Sequence, residues 1–249
     1  MHRRLAVGLS VLALLAVPVY AQLPAPSSTA PVSPPVGQGM NEDWAYVARY
    51  RDANQPLIDH STAQRVVFMG DSITEGWARQ PFIKDNANYV GRGISGQTAP
   101  QMLVRFRSDV IALKPAIVHI MAGTNDVAQN TGPESPGEIE GYIKSMVELA
   151  LANRINVVLA SIPPAKDFYW HRELEPAPQI RALNAWLREY AASRGLAYID
   201  YWSVLATTDG AMKPEYSADG VHPNAAGYEA MRPLAAAAIE RTLRQRQHR

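Results

Sequence analysis

The sequence has 249 residues, 47% of them hydrophobic and 19% charged, with a formal net charge of +1. That is chain enough for one domain with a substantial core, and the charge balance excludes a protein built to bind nucleic acid, which needs a basic face. Cysteine is absent, which excludes disulfides, thiolate metal sites, a cysteine nucleophile and a cysteine-borne lipid anchor.

His2, Arg3 and Arg4 precede a short apolar run, Leu5 to Val19, and Val19-Tyr20-Ala21 places small residues at the two positions that matter for cleavage. This is the pattern of a secretory signal peptide, 1–21, cut after Ala21. The run is shorter than the roughly 20 residues a membrane-spanning helix needs. The mature chain is therefore expected to be exported, periplasmic or secreted, without a stable membrane anchor. Residues 22–40 are rich in Pro, Ser and Ala, too poor in apolar surface to order themselves, and read as a linker. The folded domain, 41–249, is expected to begin near Asn41, a candidate N-cap for a helix carrying Trp44 and Val47.

From there strands and helices alternate. Strands are predicted at 65–70, 89–94, 116–123, 156–164 and 197–202. Ala99, Met102, Leu103, Phe106, Val110 and Leu113 mark one helical face; Ile139, Ile143, Met146 and Ala150 a second; Ile180, Leu183, Leu187 and Tyr190 a third. A last helix runs from Tyr228 to Leu243, ending in arginines as a helix C-terminus favours. Several strands are continuous apolar runs, as expected when both faces are covered. The pattern predicts a single α/β domain around a parallel sheet of about five strands.

Sites in such sheets lie at the carboxyl ends of the strands, and the chemically interesting residues fall there. Ser72 follows the first strand, Gly93 and Gly96 the second, Asn125 the third, and Asp219 and His222 follow the fifth. A serine hydroxyl needs a base, for which His222 is the candidate; the base needs a partner on its other nitrogen, for which Asp219 is the candidate. The backbone N–H groups of Ser72 and Gly96 and the amide of Asn125 could meet the oxyanion of an acyl-transfer intermediate. Asp71 and Asp126 read as local braces, and His119, inside an apolar strand, as a hydrogen-bonded core residue. His60 and His171 lack metal-spaced partners. No metal site, cofactor or phosphate loop is expected.

"GDSIT", "GRGISG", "GTND" and "DGVHP", in this order and spacing, resemble the four blocks of the SGNH hydrolases, the GDSL esterase and lipase family. The resemblance spans about residues 64 to 245. It implies a three-layer α/β/α sandwich with a flavodoxin-like sheet, Ser72 as nucleophile, Asp219 and His222 as the other triad members, and Ser72, Gly96 and Asn125 as oxyanion donors. Many members carry an asparagine where this chain has Gly91. An α/β-hydrolase would instead place its serine in Gly-x-Ser-x-Gly, with a distant acid, and Ser72 lacks the second glycine.

The expected activity is that of an exported serine esterase acting on short acyl esters, acetyl foremost, of carbohydrates or other small-molecule or polysaccharide substrates. The family also offers lysophospholipases, arylesterases and thioesterases. The reading from another class is a carbohydrate-binding protein on an inactive hydrolase scaffold, against which the intact Ser72, Asn125, Asp219 and His222 argue. Trp77, near the serine, and Phe168, Tyr169 and Trp170, in the loop 165–176, are the candidate substrate contacts. Packing within that loop is the competing explanation for these aromatics.

Overall fold

Three of the five strands are short, mostly apolar runs whose alternate side chains enter two different cores. The computed structural model describes residues 43–60 and 62–247; the predicted signal peptide, the linker and the proposed cap Asn41 lie outside them. The strands are β1 (Val66–Gly70), β2 (Tyr89–Gly93), β3 (Ile117–Met121), β4 (Asn156–Ala160) and β5 (Ala197–Ile199). They pair in the order β2-β1-β3-β4-β5, all parallel, with Val66 opposite both Tyr89 and Ile117. Val67, Met69, Val118, Ile120, Val157 and Leu159 face one layer. Val66, Phe68, Ile117, Val158 and Ala160 face the other.

The helices are α1 (Arg51–Asp59), α2 (Ser72–Trp77), α3 (Pro81–Lys84), α4 (Ala99–Asp109), α5 (Thr124–Val127), α6 (Pro136–Ala152), α7 (Pro176–Ser193), α8 (Trp202–Leu205) and α9 (Ala225–Gln247). Met102 and Phe106 of α4, Ile139 and Met146 of α6, and Ile180 and Leu187 of α7 fill the first core. Ile73 and Trp77 of α2, Ile83 of α3, and Met231, Ala235 and Ile239 of α9 fill the second. This is the expected three-layer α/β/α sandwich with a flavodoxin-like strand order. Among the described residues no helix is long and apolar enough to cross a membrane.

Two sequence expectations shift. The first helix begins at Arg51, not near Asn41. Asp43 accepts hydrogen bonds from the N–H groups of Val47 (2.8 Å) and Ala48 (2.7 Å), and Tyr46 has φ +52, which breaks a helical path. The fourth strand stops at Ala160 instead of 164. Beyond it the backbone of Ile162 exchanges its sheet partners for the side chain of Asn184 on α7, which accepts from its N–H (2.7 Å) and donates to its carbonyl (2.9 Å). The apolar run continues, but as a buried loop leaving the sheet toward the carboxyl edge.

That edge is where α2 starts, and it starts close to the strands. A Cβ on Gly93 would fall 2.6 Å from the carbonyl oxygen of Asp71. Glycine there lets the turn that bears Ser72 lie directly on the end of β2.

Candidate active site

Ser72 is the first residue of α2, presented by the turn that closes β1. Asp71 caps that helix: its Oδ1 accepts from the Ile73 N–H at 2.9 Å. Ser72 Oγ lies 2.9 Å from His222 Nε2, across 150 residues of sequence. His222 Nδ1 lies 2.7 Å from Asp219 Oδ2. The acid and base share one loop between β5 and α9. Asp219 Oδ1 accepts from the N–H groups of Val221 (2.9 Å) and His222 (2.8 Å). Ser217 ties the loop shut, its hydroxyl reaching the His222 carbonyl at 2.8 Å and accepting from the Gly220 N–H at 3.0 Å.

Partial burial works against a charge on Asp219, but the N–H groups of His222 and Val221 and the imidazole outweigh it and hold the carboxyl at about 2. An ionised Asp219 can only accept. The hydrogen between it and the imidazole therefore sits on Nδ1, leaving the Nε2 lone pair facing the serine hydroxyl. That is the arrangement in which the imidazole can take the serine's proton.

The oxyanion candidates assemble beside this chain. The Ser72 and Gly96 N–H groups have no protein acceptor among the described residues. Gly96 reaches its orientation through φ +76, the left-handed region that favours glycine. Asn125, in α5, is buried; its Nδ2 donates to the Gln97 carbonyl at 3.1 Å and lies 3.4 Å from Asp71 Oδ2. Ser72, Gly96, Asn125 and His222 open on a cleft of about 370 Å³, whose far wall is Asn130, Tyr169 and Trp170. A second lobe of about 360 Å³ lies on the other side of Ser72 and His222, bounded by Glu75, Arg79, Gln80 and Tyr228.

Two of the proposed substrate contacts are not at the surface. Trp77 is fully buried, stacked on Phe82 and Tyr228 and edge-on to Tyr201. Five residues along a helix from Ser72 it points to the opposite face, into the second core. Phe168 is likewise fully buried beneath Trp170, ring centroids 5.0 Å apart. Tyr169, 53% exposed, and Trp170 do reach the cleft.

Several supporting residues carry no sequence motif. Arg105, buried on α4, pairs with Asp109 at 3.0 Å, donates to the Gly70 carbonyl at 3.1 Å and to the side chain of Gln97. One guanidinium thus ties the end of β1 to the loop that follows Gly96. Burial pushes the Asp71 carboxyl up to about 6, against the Ile73 N–H and His222, which favour its charge. His119 is a core residue, 3.0 Å from the Tyr201 hydroxyl, and burial lowers it to about 3, so it stays neutral.

Asp126 braces across the fold instead of within its own turn, accepting from the Ala99 N–H at 2.8 Å. Its Oδ2 and Glu134 Oε2 are both buried without a hydrogen-bond partner among the described residues, and each carboxyl lies close enough to perturb the other. Burial raises both above the ordinary range, joined at Asp126 by the neighbouring carboxyl of Glu134, so a proton is retained on the pair. The unfolded chain releases that proton near pH 4 and the folded one does not. Stability should therefore fall as pH rises from about 4 through the raised value. Asp126→Asn keeps the acceptor for Ala99 and offers Glu134 a donor, mimicking the protonated acid. Melting temperatures measured from pH 5 to 9 should show the variant gaining on the wild type by a few degrees at the alkaline end, about what 1–2 kcal/mol shifts a domain of this size. Parallel curves would mean the pair holds no shared proton.

The GDSL-like lipase/acylhydrolase family model matches residues 68–230. A structure described as an acylhydrolase from Bacteroides fragilis aligns with a TM-score of 0.78 at 47% identity, covering 81% of this chain and 99% of that one. A GDSL-like lipase from Bacteroides thetaiotaomicron aligns with a TM-score of 0.76 at 45% identity, covering 80% and 99%. Esterase TesA of Pseudomonas aeruginosa is 26% identical over 180 residues, 67% of this chain and 83% of TesA. The matched stretch runs from β1 into α9, so what is shared is the frame that carries the whole site, and the protein belongs to the GDSL-like lipase/acylhydrolase family, the SGNH hydrolases, as a carboxylic ester hydrolase.

Proposed function

We propose that this esterase removes short acyl groups, acetyl foremost, from carbohydrates or comparable polar alcohols outside the cytoplasm, through an acyl-enzyme on Ser72. The observation that carries the mechanism is the unbroken chain from Ser72 Oγ to His222 Nε2 (2.9 Å) and from His222 Nδ1 to Asp219 (2.7 Å). His222 takes the hydroxyl proton as Ser72 Oγ attacks the ester carbonyl carbon. The negative charge that develops on the carbonyl oxygen is met by the N–H groups of Ser72 and Gly96 and by Asn125 Nδ2. Collapse breaks the bond to the alcohol, which leaves with the proton held by His222. Water, deprotonated by the same imidazole, then attacks the acyl-enzyme, and Ser72 regains its proton as the acid departs.

Export rests on the leader pattern of residues 1–21. The polar substrate reading is supported by an open cleft edged with Asn130, Ser95, Tyr169 and Trp170, in which aromatic faces adjoin hydrogen-bonding groups. The short-acyl reading is supported by the same lining, in which no aliphatic side chain among the described residues stands to receive a long chain.

An enzyme that buries its acyl chain gains about 0.8 kcal/mol per CH₂, roughly fourfold in kcat/KM. For p-nitrophenyl esters from acetate to laurate, held below micelle-forming concentrations, kcat/KM is expected to peak at acetate or propionate. A steady rise to octanoate or beyond would overturn the short-acyl reading in favour of a lipase. Acetylated sugars, run beside aryl esters and lysophospholipids, then identify the alcohol.

A further inference from the structure

The orientation of the Asn125 side chain decides what it offers the site. A carboxamide presents nearly the same shape when rotated half a turn, exchanging its NH₂ for its oxygen. In one orientation Asn125 offers a donor to the forming oxyanion; in the other it offers a repelling oxygen. Something must choose.

The neighbours of Asn125 are directional. Its Nδ2 faces the Gln97 carbonyl (3.1 Å), an acceptor only, and more distantly Asp71 Oδ2 (3.4 Å). Its Oδ1 accepts from Asn130 Nδ2 at 2.8 Å. Asn130 is itself a carboxamide and could turn over too. Its Oδ1, however, accepts from Trp170 Nε1 at 3.0 Å, and an indole N–H can only donate. Its Nδ2 also lies 3.3 Å from the Gly96 carbonyl, a second acceptor. Gln97 and Asp71 set the polarity on the nitrogen side of Asn125, and on its oxygen side the indole sets it and hands it on: Trp170 orients Asn130, and Asn130 orients Asn125. The backbone adds a further constraint, because the Asn130 N–H donates to the Asn125 carbonyl at 3.0 Å. Trp170 is held in turn by its packing on the fully buried Phe168.

We propose that Asn130 is a positioning residue for the oxyanion hole, and that through it Trp170 couples the aromatic loop on the cleft wall to the turnover step. The proposal rests on the assignment of Asn125 as an oxyanion donor. Its consequence is that contact with Trp170 is read in kcat and not only in binding. The relay bonds do not touch the reacting atoms, so their loss acts through the orientation of Asn125.

The test is a set of substitutions in the full enzyme, assayed on p-nitrophenyl acetate, with melting temperatures to show that each variant is folded. Asn130→Asp keeps the shape of the side chain but replaces the donor by an acceptor, so Asn125 is driven to turn over. It is expected to lower kcat by on the order of 10- to 100-fold, with KM within about twofold, a loss below the roughly 10²–10³-fold of removing the donor outright in Asn125→Ala. In the Asn125→Ala background, Asn130→Asp should cost little more, because the two act in one unit. Trp170→Phe keeps an aromatic face on Phe168, though a smaller one, and deletes the N–H; kcat should fall severalfold, by more than any change in KM. An Asn130→Asp loss that persists in full in the Asn125→Ala background, or no loss in kcat at all, overturns the relay while leaving the oxyanion assignment standing. A Trp170→Phe effect confined to KM overturns the coupling to the loop. If Asn125→Ala itself leaves kcat unchanged, the oxyanion assignment fails and the relay with it.

Discussion

Replacing Ser72 with alanine is expected to lower kcat for p-nitrophenyl acetate by about 10⁶-fold and to abolish covalent labelling by an organophosphonate. The methyl group leaves the cleft, the oxyanion donors and the His222–Asp219 pair in place, so what is lost is the attacking atom. A residual rate above the uncatalysed reaction should survive, because donors that stabilise the oxyanion still act on direct attack by water. The fold should be indifferent to the change: Ser72 Oγ makes its bond to His222, and the cap on α2 belongs to Asp71. The measurement is turnover by protein whose melting curve matches the wild type. Retention of more than a few per cent of activity would mean that another residue is the nucleophile.

Asp219→Asn is expected to cost about 10⁴-fold in kcat, the scale seen when a serine triad is forced into the wrong tautomer. The asparagine oxygen can still accept from the N–H groups of Val221 and His222, which hold the loop. Its NH₂ then faces His222 Nδ1, where the carboxylate had been. Two donors cannot share one bond, so Nδ1 gives up its proton and the hydrogen moves to Nε2, opposite the serine. Geometry survives and the base is disabled. KM should change little, since the acyl group is held elsewhere. A loss below tenfold would show that the imidazole does not depend on Asp219 for its orientation or its charge.

The four sequence blocks were legible because acyl transfer needs particular groups at the carboxyl edge of a parallel sheet, and few other residues supply them. Ser72, Gly96, Asn125, Asp219 and His222 converge on one cleft as their positions after the strands require. Direction was harder to read than position. Trp77 lies close to Ser72 in sequence, yet the turn of a short helix sends it into the core; Phe168 and Trp170 sit in one loop, but one is a floor and the other a wall. The supporting shell was not legible at all. Arg105 reads as one of two ordinary arginines on an amphipathic helix until its reach to the Gly70 carbonyl, 35 residues away in sequence, is seen. Asn130 has no periodicity or motif to mark it; only its three partners, brought in from β2–α4, α5 and the loop after β4, give it meaning.

The short loop that carries both Asp219 and His222 has a consequence for how the enzyme is assembled and how it fails. Acid and base are locked to one another by bonds within a single seven-residue stretch, 217–223, whose ends meet at Ser217 and Pro223. They cannot drift apart without that stretch unravelling. Ser72, Gly96 and Asn125, the proposed nucleophile and oxyanion donors, follow the early strands and arrive without them. The two halves are joined at a seam where α2 meets the start of α9, stitched by Ser72 to His222 and by the Tyr228 hydroxyl to the Ile73 carbonyl at 2.9 Å. A chain whose final segment has not docked therefore lacks both the imidazole beside Ser72 and one wall of the second core, and is inert. Damage to the mature enzyme follows the same line in reverse: loosening α9 parts His222 from Ser72 and uncovers the second core in one event, so the site and that face of the sheet fail together.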